Sequence, residues 1–314
     1  MIEPIPIGAF SRTANGVARP EDIIVTPDGR VLVSDARSAV AEILADGSIR
    51  RFGAAGGEPN GIDIAPDGTV LIANFSTGAL QRLDLVSGHV KTVIDHAGGR
   101  ALTAVNYPLV DSHGAIWVSC STQTDPALAI ATGVADGYIV RLDPNGDATL
   151  VAEGIAFPNC MTFDDAERYL YVVRSALSDV ARFEVRPDNN LGPAERYGPV
   201  LGDRRVDEFG EEMLSAFGQP DVLARWGLTD GCAFDAEGNL WVTVMSANRI
   251  VAITPELDVL VVVDDPQGSI IVSPTSVAFG GPDRRDLYVG SLVSEYVVTG
   301  RSPVAGRLGR GHRE

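Results

Sequence analysis

The sequence predicts an all-β, six-bladed β-propeller. Three observations predict this fold: a repeated pair of short apolar strands, turn residues between the paired strands, and a repeat spacing of roughly 40 to 50 residues. The chain has 314 residues, and we expect it to form a single propeller domain over residues 1–314. One four-stranded sheet cannot bury both of its faces alone, whereas sheets stacked in a ring bury them against each other.

Each repeat opens with a polar residue, continues in a first apolar strand, turns, and continues in a second apolar strand. In the first copy the turn contains Asp28-Gly29. Asp-Gly between two β-rich segments is a strong hairpin signal, because both central turn residues need positive φ. The six copies open, in order, at Glu21, Asn60, Asn106, Asn159, Asp230 and Thr275. Further β-rich segments, such as 80–83 and 250–253, indicate about four strands in each copy.

Residues 207–226 interrupt the repeats between the fourth and fifth copies. Phe209, Met213, Leu214 and Phe217 are spaced three or four residues apart, which predicts a short helical insertion between blades four and five. Such an insertion can be a surface element packed on a blade, a lid over the channel mouth, or an oligomer contact. The sequence leaves these three alternatives and the oligomeric state open.

Charge and hydrophobic patterning exclude several classes of partner. The chain has 25 Lys and Arg against 42 Asp and Glu, a formal net charge of −17. Such a chain repels nucleic acid and anionic membranes, so we expect a small-molecule substrate instead. No segment approaches the roughly 18 apolar residues of a membrane span. The first ten residues lack the features of a signal peptide, which predicts a cytoplasmic protein.

The three cysteines, Cys120, Cys160 and Cys232, form no CxxC pair, which argues against a disulfide framework and a thiolate zinc site. Cys160 and Cys232 adjoin the opening residues of repeats four and five, so a thiol nucleophile is an alternative. No histidine adjoins them, and a buried cysteine usually behaves as a small apolar residue. The histidines that we expect at the surface are His89, His96 and His113.

The residue that opens each repeat has a short, oxygen-bearing side chain. Because the first strand of each propeller blade lines the central axis, the six residues are expected to converge there. We call them the slot residues: Glu21, Asn60, Asn106, Asn159, Asp230 and Thr275. Two carboxylates without His or Cys favour a hard cation such as Ca²⁺ or Mg²⁺. The alternative is local turn chemistry, since Asn and Asp before Gly often bond the backbone. Glu21, which follows Pro20, has no such turn role.

Four segments carry a resemblance to a known family: residues 20–22, 158–160, 230–242 and 274–283. They resemble the SMP-30/gluconolactonase/luciferin-regenerating-enzyme family, and the likeness runs from about residue 18 to about residue 300. The resemblance implies a six-bladed propeller with a central divalent cation, and many members of that family hydrolyse sugar lactones. A related propeller, of the diisopropyl fluorophosphatase type, cleaves organophosphates at a similar site.

The resemblance also implies roles for individual residues. It makes Glu21, Asn159 and Asp230 metal ligands, and Asn106 a further ligand or a substrate contact. The sequence departs from the family at Cys160 and Asp22, where glycine is usual, and in the insertion at 207–226. These departures leave the substrate open.

The hypothesis is metal-dependent hydrolysis of a lactone or small cyclic ester at a central divalent cation. Ca²⁺ is the first choice, with Mg²⁺, Mn²⁺ and Zn²⁺ as alternatives. Asp230 and Asn106 are the predicted catalytic residues: Asp230 activates water and Asn106 donates a hydrogen bond to substrate. Asn60 and Thr275 are predicted to line the substrate channel. The alternatives are an organophosphate hydrolase, an isomerase or lyase at the same metal site, and a non-catalytic propeller that the metal stabilises.

Overall fold

In the computed structural model, which describes residues 2–26 and 28–307, six four-stranded antiparallel sheets form the blades of a propeller. The predicted fold is therefore confirmed. The first strand of each blade contacts the first strands of both neighbouring blades, so these inner strands close a ring around the axis. The predicted domain limits at residues 1 and 314 lie outside the described residues, so the extent of the domain stays a prediction.

In each of the first three blades the strands follow chain order from the axis outwards. Blade 1 has Ile23–Val25, Val31–Ser34, Val40–Ile43 and Ile49–Phe52; blade 2 has Pro59–Ile64, Val70–Asn74, Ala79–Leu83 and Val90–Ile94; blade 3 has Val105–Val110, Ile116–Cys120, Gly137–Leu142 and Ala148–Ile155. Short turns separate these strands, and the strands carry buried apolar residues, as the repeat pattern predicts.

Blades 4 and 5 follow the same order, whereas blade 6 takes its fourth strand from the other end of the chain. Blade 4 has Pro158–Phe163, Tyr169–Arg174, Asp179–Glu184 and Glu195–Arg196; blade 5 has Thr229–Phe234, Leu240–Val244, Arg249–Ile253 and Val259–Asp264; blade 6 has Pro274–Gly280, Asp286–Ser291, Val297–Arg301 and Ser11–Thr13. Ser11 pairs with Thr299 in the outer ladder of blade 6. This pairing closes the ring, because an early strand of the chain hydrogen-bonds to the last strand of blade 6.

Aromatic pairs fill the interfaces between the later blades. Trp117 of blade 3 meets Phe163 of blade 4 edge to face, with ring centroids 5.5 Å apart. Trp241 of blade 5 meets Phe279 of blade 6 in the same way at 5.1 Å. Such pairs add to the energy of burial, so they hold adjacent blades at a fixed distance.

Two elements between strands were not predicted. A short hairpin joins His96–Ala97 to Arg100–Ala101. Helix α1 (Pro126–Thr132) lies between the second and third strands of blade 3; Asp125 caps it by accepting a hydrogen bond from the backbone N–H of Leu128 at 3.0 Å. The helix has only seven residues, too few for a periodic apolar pattern to stand out in the sequence.

The predicted insertion between blades 4 and 5 is helical, but it is not one helix. It consists of a 3₁₀ turn at Val206–Glu208, a 3₁₀ helix at Glu211–Gly218, and helix α2 (Pro220–Trp226). The first turn ends at Phe209, and the extended Gly210, with φ of 166°, precedes the 3₁₀ helix. Pro220 then begins α2, because proline cannot continue a preceding helix but fits the first position of a new one.

Three short 3₁₀ turns complete the regular structure: Ile7–Ala9, Ser175–Leu177 and Met245–Ala247. Over residues 2–26 and 28–307, no helix is both long enough and apolar enough to cross a membrane.

Candidate functional site

The slot residues owe their orientation to interruptions in the inner strands. In blades 2 to 6 each slot residue is the second residue of its inner strand, and the register of pairing with the next strand shifts at that point. In blade 2, for example, pairing passes from Pro59 to Ile62 and skips Asn60. Glu21 lies just before the inner strand of blade 1. A bulge re-aims a side chain that regular pleating would send to one sheet face.

The slot residues of blades 1, 2, 3 and 6 are joined by hydrogen bonds around Glu21. The amide nitrogen of Asn60 donates to Oε1 of Glu21 at 3.0 Å and to the backbone oxygen of Asn106 at 3.3 Å. The hydroxyl of Thr275 donates to the backbone oxygen of Glu21 at 2.6 Å. Four of the six predicted site residues therefore meet in one buried group.

The other two slot residues, Asn159 and Asp230, come from blades 4 and 5. Burial raises the pKa of Asp230, and a hydrogen bond from the Asn159 side chain opposes that rise, so these two side chains are in contact. The amide nitrogen of Asn159 also donates to the hydroxyl of Ser175 at 3.1 Å. Asp230 in turn is close enough to Glu21 for its charge to act on that carboxylate. The structure thus brings all six slot residues together at the axis.

The two carboxylates of the site are buried and repel each other. Burial raises the pKa of Glu21 well above its ordinary value, and the negative charge of Asp230 raises it further. Burial likewise raises the pKa of Asp230 well above its ordinary value. The positive charge of Arg19 acts against burial on both residues. Two buried carboxylates with raised pKa values favour either bound protons or a cation between them.

Asn106 supplies a test of whether these residues suit a metal ion. Its Oδ1 atom is buried and has no hydrogen-bond partner in the structure. A buried acceptor left unpaired costs free energy, so such atoms in native proteins usually have a partner. Oxygen atoms of Glu21, Asp230, Asn159 and Asn106 form the donor set that hard divalent cations prefer. The residues present therefore fit a calcium-type ion.

The carboxylates of the site are too few to hold a metal ion by themselves. Among the residues that the structure describes, no three His, Cys, Asp or Glu side chains group to hold a metal. The amide oxygens of Asn106 and Asn159 are the further donors that the resemblance implies for a cation at the axis. The assignment of individual ligands and catalytic residues stays a prediction.

The glycines that follow two slot residues allow the inner strands to approach closely. A Cβ atom on Gly61 would lie 2.5 Å from the ring of Tyr107, and one on Gly231 would lie 2.2 Å from the backbone oxygen of Thr275. The Asn-Gly and Asp-Gly pairs that open these repeats are turn signals in sequence, yet here they mark contact between blades. Their glycines are needed for space at the axis.

In blade 4 the position after the slot residue is Cys160. Its sulfur lies 3.6 Å from that of Cys232 in blade 5. Both thiols are free and buried, and burial raises the pKa of Cys160 well above its ordinary value. A raised pKa disfavours the thiolate, the nucleophilic form. The interpretation of these cysteines as inert packing residues is therefore supported, and His89, His96 and His113 are exposed, as predicted.

The sequence analysis missed two charged residues beside Glu21. The Asp22 carboxylate accepts hydrogen bonds from the backbone N–H of Ile62 and from the hydroxyl of Ser276, both at 2.8 Å. It thereby links blades 1, 2 and 6, and burial raises its pKa to about 7. Arg19 donates to Oδ1 of Asn60 at 2.6 Å. In the sequence, Arg19 stands two positions before the acidic slot residue Glu21, and this proximity could have identified it as a site residue.

The helical insertion packs on the side of the ring where the slot residues lie. Trp226 of α2 shares a buried apolar cluster with Ile130 of α1 and with Phe157 and Leu228. Phe157 and Leu228 each precede a slot residue, Asn159 and Asp230, by two positions. The insertion is therefore anchored to the segments that enter the inner strands of blades 4 and 5.

Comparison with known proteins places these features in a family. Residues 57–293 match the family described as SMP-30/Gluconolactonase/LRE-like region. The chain is 25% identical over 224 residues to a gluconolactonase of Zymomonas mobilis. The aligned region covers 69% of this chain and 56% of that protein. It is 30% identical over 171 residues to a pentonolactonase of Haloferax volcanii, and this aligned region covers 52% of this chain and 50% of that protein. The chain thus spans about half the length of these curated relatives.

The fold recurs in a solved structure described as a calcium-binding protein, regucalcin, from Agrobacterium tumefaciens. The two chains superpose with a TM-score of 0.70 over the full length of both, at 18% sequence identity. At that identity the likeness shows the fold.

Proposed function

We propose that this chain, which belongs to the SMP-30/gluconolactonase/LRE-like family, is a metal-dependent hydrolase of lactones. One observation carries the proposal: six inner strands from six blades bring two buried carboxylates and the unpaired Oδ1 of Asn106 to one point. The names of the relatives support the substrate class, since the two described above are lactonases.

The proposed metal is Ca²⁺, held by Glu21, Asn159 and Asp230, with Asn106 as a further ligand. The donor set is made of oxygen atoms alone, which suits Ca²⁺ better than softer metals. The calcium-binding description of the structural neighbour supports the same choice. When bound, such a cation polarises a carbonyl group and stabilises negative charge on its oxygen.

The chain's own residues supply the remaining chemistry. A carboxylate oxygen of Asp230 takes the proton from the attacking water and returns a proton to the ring oxygen as the lactone opens. The amide nitrogen of Asn106 donates a hydrogen bond to the substrate. Asn60 keeps Glu21 in place through its 3.0 Å hydrogen bond, while Thr275 holds the Glu21 backbone. The products are balanced, because one water and one lactone give one hydroxy acid.

The first test is metal content together with lactone turnover. We expect about one equivalent of calcium in the purified protein, hydrolysis of γ- and δ-lactones, and loss of turnover after chelation with EDTA that added Ca²⁺ restores. Turnover that persists after complete removal of metal would contradict the metal-dependent reaction. Bound calcium without turnover of any lactone would keep the metal site and contradict the substrate class.

Replacing Asp230 separates function from folding. We expect Asp230→Asn to lower kcat/KM for lactones roughly 10²- to 10⁴-fold, since a proton-transfer group is lost. The thermal stabilisation by Ca²⁺ should disappear, because ligand binding to the native state alone raises the melting temperature. The metal-free variant should melt no lower than the wild-type protein, since a buried charge that burial disfavours is removed.

The matched control is Asp188→Asn, which makes the same change at an exposed turn of blade 4. It should retain wild-type turnover and the wild-type response to Ca²⁺. If Asp230→Asn kept full turnover, the catalytic assignment of Asp230 would be wrong.

A further inference from the structure

The residues two positions before the slots form a repeated feature at one end of the channel. In blades 1, 3, 4 and 6 this residue has a positive φ although it is not glycine: 50° at Arg19, 43° at Ala104, 53° at Phe157 and 42° at Ser273. A left-handed backbone costs free energy for such residues and tends to be kept where the surroundings or function require it. We call these four residues the rim.

Arg19 differs from the other rim residues because it carries a charge into the site. Its guanidinium donates to the backbone oxygen of Pro59 at 3.0 Å and to Oδ1 of Asn60 at 2.6 Å. Its charge also acts on both carboxylates of the site, where it opposes the rise that burial causes in the pKa of Glu21 and of Asp230. The half-buried guanidinium therefore lies next to the slot residues.

The two oxygen atoms that accept hydrogen bonds from the Arg19 guanidinium are neutral. Within residues 2–26 and 28–307, no carboxylate oxygen forms an ion pair with its guanidinium at 4.0 Å or less. Other half-buried arginines of the ring do have carboxylate partners: Arg174 forms a two-point pair with Asp179 at 2.8 and 2.7 Å. Two of the five N–H groups of Arg19 are used, which leaves three for a ligand.

The charge and shape of the guanidinium then indicate what that ligand is. Glu21, Asp22, Asp230 and Arg19 together carry a net charge of −2 when the three carboxylates are ionised, and a divalent cation brings the sum to zero. The cation offsets the two slot carboxylates, while Asp22 accepts hydrogen bonds from Ile62 and Ser276. The Arg19 guanidinium is thus left without a counterion, and its planar fork matches a carboxylate.

We propose that Arg19 binds an anionic substituent of the substrate, so that this hydrolase prefers lactones that carry a second, ionised acid group such as a carboxylate. The inference rests on the proposed function, since the lactone ring itself occupies the site formed by the slot residues. Arg19 contacts the substituent outside the ring and takes no part in bond breaking.

The test compares two lactones that differ in one group. The γ-lactone of glucaric acid has a terminal carboxylate where the γ-lactone of gluconic acid has a neutral CH₂OH. We expect the wild-type protein to prefer the glucaric lactone in kcat/KM by at least about tenfold, the effect of one charge-assisted hydrogen bond. The preference should fall as salt concentration rises, since salt screens attraction between charges.

Replacing Arg19 distinguishes substrate binding from support of Asn60. We expect Arg19→Gln to raise KM for the glucaric lactone about 10- to 100-fold, whereas turnover of the gluconic lactone falls only about threefold. Arg19→Lys should recover part of the preference, because it keeps the charge without the fork. The control is Arg37→Gln, the same charge change at an exposed ion pair with Glu295, which should alter neither substrate's kinetics.

A binding experiment separates this proposal from the proposed function. Calorimetry with the calcium-loaded protein should show that glucarate, a dianion, binds more tightly than gluconate, and that Arg19→Gln removes the difference. If no lactone is hydrolysed but this difference is found, the proposed function fails and the anion site stands. Equal kinetics for both lactones, equal losses in Arg19→Gln, or equal binding of both sugar acids would overturn the assignment of Arg19.

Discussion

The axial ring and the helical insertion hold buried charges in different ways. At the axis, a register shift places Asp230, and Glu21 lies just before the inner strand of blade 1. Their charges are close, and within the described residues neither carboxylate forms an ion pair. In the insertion, side-chain contacts hold the charges: Glu208 forms an ion pair with Arg225, and its Oε2 lies 2.8 Å from a guanidinium nitrogen. The insertion satisfies its charges internally, whereas the ring leaves its charges available to a ligand.

The same contrast holds for two half-buried arginines, Arg204 and Arg19. The Arg204 guanidinium lies between the rings of Phe209 and Trp226, 3.7 and 3.9 Å from their centroids. It also donates to the backbone oxygens of Ile130 at 2.7 Å and Glu208 at 2.9 Å. Within residues 2–26 and 28–307, the Arg19 guanidinium donates to two neutral oxygens. A half-buried arginine enclosed by aromatic rings and carbonyls is structural, while one with unused donors beside a site can bind substrate.

The largest expected effect on stability comes from the ring. We expect Gly231→Ala to lower the free energy of unfolding by about 3 kcal/mol, because its Cβ would meet the backbone oxygen of Thr275 at 2.2 Å and overpacking of this kind is costly. The increase in the free energy of unfolding that Ca²⁺ produces should also become smaller, since Asp230 is the preceding residue. Urea denaturation with and without Ca²⁺ measures both effects.

The matched variant in the insertion is Gly218→Ala. A Cβ there meets no atom within 4 Å, so unfolding should change by less than about 0.5 kcal/mol. If the two alanine variants were equally stable, the close approach of the inner strands of blades 5 and 6 would not be a constraint on the site.

A smaller effect is expected at the centre of the insertion. Arg204→Ala removes a guanidinium that donates to carbonyl oxygens of Ile130, Ala131 and Ala176. The oxygen of Ala131 keeps the backbone N–H of Gly210, whereas those of Ile130 and Ala176 lose this donor. We expect a loss of about 2 kcal/mol in the free energy of unfolding. The neighbouring variant Arg205→Ala, at an exposed ion pair with Asp207, should cost less than about 0.5 kcal/mol.

Hydrogen exchange shows where the Arg204 variant loosens. Faster exchange should be confined to helices α1 and α2 and the segment between blades 4 and 5. Among the described residues, the Arg204 guanidinium donates to Ile130, Ala131, Ala176 and Glu208, and none of these is a slot residue. Faster exchange at the inner strands as well would mean that the ring depends on the insertion, which would contradict the comparison.

The smallest expected effect is a pH dependence of the insertion. The Arg225 guanidinium beside Glu208 lowers the pKa of that carboxyl to about 2. Because the folded pKa lies below the unfolded value of about 4.3, the ion pair stabilises the fold fully above that pH and its contribution is lost as pH falls towards 2. Limited proteolysis of 203–228 should therefore accelerate in that window with an acid-active protease.

The control for this pH dependence is Glu208→Gln, which cannot titrate. Cleavage of the variant at 203–228 should be faster than that of the wild-type protein at neutral pH and should respond less to acid. The same rate for both proteins across the window would show that the ion pair does not hold the insertion.

A large part of the fold was predictable because propeller blades repeat. Alternating apolar strands and Asp-Gly turns recur, so six blades could be recognised from one chain, and the residues opening each repeat had to converge. The cysteines beside two slots could likewise be interpreted as packing residues, because no histidine adjoined them to activate a thiol and a buried cysteine usually behaves as a small apolar residue. Helix α1 was missed because seven residues between two strands give too short a pattern.

The sequence by itself determined the number of blades, the chemical nature of the slot residues and the excess of negative charge, because these follow from periodicity and composition. Only the tertiary structure decided that each slot residue from blade 2 to blade 6 lies at a register shift, that Gly61 and Gly231 serve close approach, and that Arg19 lies beside Asn60. The physical reason is that bulges and contacts between blades depend on residues far apart in the chain, whose positions are set when the ring closes.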